Sequence, residues 1–114
     1  MAECKYIVLT TPVPGREEEY NHWYDNAHVP DLLRIPGVVS AQRFRITTVQ
    51  RSPGPFDFDY LAIYTFDSDD AQAIMDEIAS RYDTGLMRMS DAMKSERWSC
   101  IFEAIGELRT PDAR

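Results

Sequence analysis

The segment from Phe58 to Phe66 constrains the fold of this chain more than any other, because both of its faces are apolar. In an extended chain successive side chains point to opposite sides. Phe58, Tyr60, Ala62, Tyr64 and Phe66 therefore share one face, and Leu61, Ile63 and Thr65 share the other. A strand of that kind needs cover on both sides. Helices of the same chain can supply it on one. The second face is expected to be buried by another copy, which makes the chain a homodimer assembled through its sheet.

Around that strand the remaining elements follow from periodicity and turn residues. Lys5 to Thr11 alternates and is rich in Ile, Val, Leu and Thr, so it is expected as the first strand. Pro12-Val13-Pro14-Gly15 ends it and leads into a helix from Arg16 to about Arg34, stopped by Ile35-Pro36-Gly37. Val38 to Val49 reads as a long second strand. Its residues Val38, Ser40, Gln42, Phe44 and Ile46 alternate with Val39, Ala41, Arg43, Arg45 and Thr47.

Arg51 to Pro55 is a loop, and Phe58 to Phe66 the third strand. Asp70 to Arg81 reads as a second helix with Ala71, Ile74, Met75 and Ile78 as its apolar stripe. Leu86, Met87, Met89 and Met93 predict a short helical piece within residues 83–94. Arg97 to Leu108 completes the pattern as a fourth strand, followed by a polar tail. The order β-α-β-β-α-β, the split βαβ arrangement, predicts an α+β fold, one domain over residues 1–114.

The first helix carries the candidate chemistry. Tyr20, Trp23, Tyr24 and Ala27 fall at helical spacing on one face, and His28 lies one turn beyond Tyr24 on its flank. Pro30 cannot donate to the carbonyl of Asn26, so the helix is expected to kink or restart near Ala27 to Pro30. His28 reads either as a structural ring bonded to a freed carbonyl or as a general acid/base active near pH 7. Asp31, three residues on, either orients that ring or sits in the first turn of a restarted helix. His22 lies on the opposite side among acidic residues and reads as solvated.

The segments Trp23-Tyr24-Asp25, His28-Val29-Pro30-Asp31, Ile35-Pro36-Gly37 and Val39 to Phe44 resemble the dimeric α/β-barrel superfamily, in particular its EthD-like group. The likeness spans roughly residues 4 to 108, with its specific part at about residues 20–45. It implies a ferredoxin-like protomer, a four-stranded antiparallel sheet with helices on one face, that dimerises through that sheet. It leaves the reaction open, because the superfamily holds isomerases, cyclases, decarboxylases, haem-degrading monooxygenases and proteins without known activity. Haem-degrading relatives place an axial histidine in the second half of the chain. No histidine follows His28 here.

His28 and Asp31 are thus the candidate catalytic pair. Trp23, Tyr24, Arg43, Tyr60, Tyr64 and Trp98 are the candidate ligand contacts. Trp23 and Tyr24 read first as core, and a pocket between helix and sheet makes them both core and lining. Arg43 shares a strand face with apolar residues and needs a partner. The options are a substrate carboxylate, an acidic group across the dimer, or solvent. Tyr60 and Tyr64 either pack or donate to a developing oxyanion.

Several classes are set aside. Nineteen acidic against twelve basic residues give a formal charge of −7, which repels nucleic acid. No run nears the ~18 apolar residues of a membrane span, and no apolar signal segment precedes the first strand, so a cytoplasmic location is expected. Cys4 and Cys100 have no metal-ligand spacing and read as small apolar residues. There is no phosphate loop, dinucleotide fingerprint or nucleophile elbow. The expectation is a cofactor-free, metal-free enzyme moving a proton on a small apolar carbonyl or aromatic compound. The alternative is a non-catalytic dimer that binds such a ligand or assists a larger enzyme.

Overall fold

The computed structural model describes residues 3–112. Four strands, β1 (Glu3–Thr10), β2 (Val38–Arg45), β3 (Tyr60–Asp67) and β4 (Trp98–Glu103), form one antiparallel sheet in the order β2-β3-β1-β4. The helical elements are α1 (Glu17–Trp23), a wide π-helical turn (Tyr24–His28), α2 (Val29–Leu33) and α3 (Ala71–Arg81). This is the α+β, ferredoxin-like arrangement that the pattern of elements predicts.

Register decides which side chains meet the helices. Tyr6 lies opposite Tyr64, Val8 opposite Ala62 and Ser99, and Thr10 opposite Tyr60. Val8, Thr10, Ala62 and Tyr64 are buried, together with Tyr20, Trp23, Tyr24 and Leu32 from the first helical segment. In α3 the side chain of Asp70 accepts from the amide of Ala73 at 3.0 Å, a cap that starts the helix, and Ile74 and Ile78 are buried. Gly37, with φ of 96°, stands where a Cβ would come within 2.6 Å of Ile74 Cδ1. Only glycine fits both that conformation and that approach.

The structure corrects the ends of two strands. β2 ends at Arg45 rather than Val49, and β4 at Glu103 rather than Leu108. Ile105 and Leu108 are almost fully exposed and pair with no strand. β2 also carries a register shift between Val38 and Ser40, which breaks the simple alternation. Val38 turns inward opposite Phe66 while Val39 is exposed, and Ala41 and Arg43 then follow Val38 on the helix face.

Residues 83–94 form no helix but an irregular strap. Backbone bonds from Val13 N to Ala92 O (2.7 Å) and from Lys94 N to Thr11 O (2.9 Å) tie its end to the segment after β1. Those non-local bonds replace the internal ones a helix would make.

The other sheet face carries Ile7, Leu9, Leu61 and Ile63, flanked by the exposed rings of Phe44, Trp98 and Phe102. Every helix among the described residues packs on the opposite side, so no described helix covers the second apolar face of β3. Among the described residues no helix is long and apolar enough to cross a membrane.

Candidate functional site

Pro30 shapes the site through what it lacks. Its missing N–H leaves the Asn26 carbonyl without an α-helical partner. The chain answers with a π turn, in which the amide of Val29 bonds to the carbonyl of Tyr24. The helix restarts at once as α2, with Pro30 in its first turn. The wide turn brings residues five apart onto one side, which an α-helix does not do. His28 consequently stacks on Trp23 at 4.8 Å between ring centroids, with Tyr24 edge-on at 5.1 Å.

This ring cluster forms one wall of a cavity of about 370 Å³ between the helices and the sheet. Its buried end is lined by Thr10, Tyr24, Leu32, Tyr64 and Met87, and its outer end by exposed Tyr82, Arg97 and Ser99. Two polar atoms bordering this space, His28 Nδ1 and Tyr64 Oη, are buried without a well-formed hydrogen bond to any group among the described residues, although the Tyr24 phenol lies close enough to act on that of Tyr64. Elsewhere in the cluster the hydroxyls of Tyr20 and Thr10 bond each other.

Burial sets the protonation states. Desolvation lowers the His28 pKa to about 4; the charge of Asp31 opposes it, and those of Arg97 and Arg43 add smaller pushes downward. The ring is neutral at pH 7. Burial raises the Tyr64 phenol well above its ordinary value and also raises Tyr24, whose phenol is its neighbour. Both remain hydrogen-bond donors across the physiological range.

Asp31 does not hold the His28 ring, and that expectation is corrected. Its buried carboxylate accepts from the Arg88 amide (2.9 Å), Arg88 Nε (3.1 Å) and Arg88 Nη2 (2.9 Å), and from Arg34 Nη1 (2.7 Å). The hydrogen bonds from Arg88 hold its pKa below the ordinary carboxylate range. Trp23 Nε1 donates to the Arg88 carbonyl at 3.0 Å. The helical segment thus grips Arg88 at both its amide and its carbonyl. Met87, next in the strap, is pressed into the cavity wall.

Three further expected contacts stand elsewhere. Arg43 pairs with Asp25 at 2.8 Å and with Asn21 at 2.8 Å, and its guanidinium lies 4.3 Å from the Tyr24 ring centroid. Its partner is in its own chain. Tyr60 receives a hydrogen bond from Asn21 and packs on Tyr20, outside the cavity. Trp98 lies on the opposite sheet face, because it pairs with Leu9 and not with the even-numbered residues of β1. Tyr24, Tyr64 and His28 are brought together, with Trp23 behind the ring.

Sequence reasoning missed Tyr6, Thr10, Tyr82 and Arg97 as lining residues. Tyr6 and Thr10 carried a usable signal, the strand parity that places them beside Val8. Tyr82 and Arg97 carried none, since each sits at the edge of an irregular segment. Among the described residues, no three His, Cys, Asp or Glu side chains gather to hold a metal ion.

No protein-family model and no curated protein matches the chain. Solved structures do. An EthD family protein from Bacillus halodurans aligns at TM-score 0.60 and 21% identity, covering 92% of this chain and 100% of that one. The chain has the ferredoxin-like fold of these proteins. The haem-degrader MhuD from Mycobacterium tuberculosis, with two haems bound, aligns at TM-score 0.64 and 16% identity over 93% and 99% of the two chains. SnoaB from Streptomyces nogalater, a cofactor-independent oxygenase, gives 0.54 and 16% over 95% and 98%. At these identities the likeness to the EthD protein and the others is one of fold.

Proposed function

We propose that this chain is a homodimeric small-molecule enzyme that moves a proton on an apolar carbonyl or aromatic compound held in the cavity beside His28. The observation that carries it is the pair of buried, unpartnered polar atoms, His28 Nδ1 and Tyr64 Oη, at an otherwise largely apolar cavity. Such atoms cost free energy in a folded protein, and a ligand that shifts the neighbouring rings enough to bond them recovers it.

A ring with a pKa near 4 is a weak base. Taking a proton from a group of pKa ~10 would cost on the order of 8 kcal/mol if nothing else changed. The transfer is therefore coupled to charge on the substrate. Negative charge developing on a substrate oxygen raises the His28 pKa, while the Tyr64 and Tyr24 hydroxyls donate to that oxygen. The dimer buries the open sheet face through Leu61, Ile63, Phe44, Trp98 and Phe102. The same weak basicity favours a second reading, a dimer that binds such a ligand without turning it over.

Deuterium uptake at the α-carbon of 2-tetralone in D2O, followed by NMR, separates the two. Catalysis appears as exchange faster than buffer, lost by at least ~100-fold in His28→Ala and kept in His22→Ala. Binding that shifts the His28 resonances with no exchange on any such ketone would leave only the second reading.

A further inference from the structure

Arg97 stands apart from the other cations around the site. Arg34 and Arg88 are paired with Asp31, and Arg43 with Asp25. Arg97 is the one cation lining the cavity, and its guanidinium has no carboxylate partner among the described residues. Its one side-chain hydrogen bond runs from Nη1 to the Tyr82 hydroxyl at 3.0 Å, and its carbon lies 5.1 Å from the centroid of the Tyr82 ring. The phenol thus props the guanidinium at the cavity mouth and leaves its other N–H groups free. In a chain of net charge −7, an unpaired arginine at the rim of an apolar cavity is a cation with a vacancy.

We propose that the ligand is an apolar acid, with its carboxylate on Arg97 at the mouth, its hydrocarbon skeleton against Tyr24, Met87 and Ile78, and a carbonyl or hydroxyl toward Tyr64 and His28. This rests on the reading of the cavity as the ligand site and adds the class of molecule. The geometry separates the tasks along one axis. The buried end offers a neutral ring and phenols, which suit an uncharged oxygen; the exposed end offers the one full positive charge, where a carboxylate keeps part of its hydration. An anion at the buried end would instead lose its water against apolar walls. Near the ring the facing charged groups are Arg97, Arg43 and Asp31, with the phenols of Tyr24 and Tyr64 closest by.

The test compares 2-naphthoate with 2-naphthamide, an uncharged molecule of nearly the same shape, by NMR titration of the intact protein. The naphthoate should bind about tenfold tighter at low ionic strength, a preference that shrinks in about 0.5 M salt because the pair is exposed. Arg97→Gln should abolish the preference without weakening the amide, and Arg97→Lys should retain part of it. The proposal is overturned if the amide binds as well as the acid, or if folded Arg97→Gln keeps the preference. Equal binding of the two overturns the acid alone and leaves the cavity as the ligand site. Absence of saturable shifts at His28 with either compound overturns both.

Discussion

Replacing Asp31 with Asn tests whether this carboxylate latches the strap. The substitution keeps size and shape but removes the charge and turns one acceptor into a donor facing Arg88. Four hydrogen bonds end on Asp31, and bonds to a charged group contribute roughly 1.5–3 kcal/mol each. They do not add, because the side chains of Arg88 and Arg34 are 52% and 65% exposed and regain water when released.

What water cannot easily restore is the Arg88 amide and the burial of the strap behind it. A net loss of roughly 2–3 kcal/mol follows, close to the lower limit for breaking a buried pair. For a chain of this size that lowers Tm by on the order of 10 °C. Thermal unfolding by circular dichroism reads it, and hydrogen exchange at Met87, Arg88 and Ala92 should accelerate more than exchange in β1 and β3.

The pH dependence has a definite sign. Asp31 is held below its ordinary pKa of 3.8, so its contribution is complete above that value and disappears as pH falls through the lowered one. The gap between wild type and variant should be full at pH 6 and close below about pH 4. A variant melting within about 2 °C of wild type, with unchanged exchange at Arg88, would refute the latch.

Three other outcomes are expected. His28 goes from an ordinary 6.5 to about 4 on folding, so its neutral form stabilises the fold fully above pH 6.5, and at ~1.4 kcal/mol per pH unit roughly 3 kcal/mol is lost as pH falls toward 4. Urea midpoints of His28→Leu should be flatter than wild type across that window; parallel curves would contradict the burial of the ring. Gly37→Ala should lose about 2 kcal/mol through its positive φ and the Ile74 contact, whereas Gly85→Ala, with open space around it, should change stability by less than about 0.5 kcal/mol in the same denaturation assay. Ile63→Lys, in the centre of the open sheet face, should halve the mass seen by light scattering while leaving the His28 resonances in place; an unchanged mass would exclude that face as the interface.

Most of the architecture was legible because it is written in short-range patterns. The alternation of Lys5 to Thr11, the stripe of Ala71, Ile74, Met75 and Ile78, and the two apolar faces of β3 each need only a few neighbouring residues to be read. The helical cluster of Tyr20, Trp23, Tyr24 and His28 was legible for the same reason, and so was the disturbance that Pro30 causes. Errors arose where one residue changes parity or where the backbone finds distant partners. The register shift near Val38 moved that side chain to the other face, and an unbroken alternation gives no sign of it. The methionines of the strap fall at helical spacing and predict a helix, although its backbone bonds run to Thr11 and Val13.

By itself, then, the sequence determined the order of strands and helices, the side of the helix that faces the sheet, and the presence of a histidine at that interface. Tertiary structure alone decided which groups complete the site. Asp31 meets Arg88 across 57 residues of chain, and Arg97 reaches the cavity of His28 from the position just before β4. The physical reason is that periodicity and caps are local, whereas the partner of a charge depends on the path of an irregular segment. Pairing Asp31 with Arg88 leaves the His28 ring neutral and its Nδ1 without a partner among the described residues, and no spacing between His28 and Asp31 encodes that outcome.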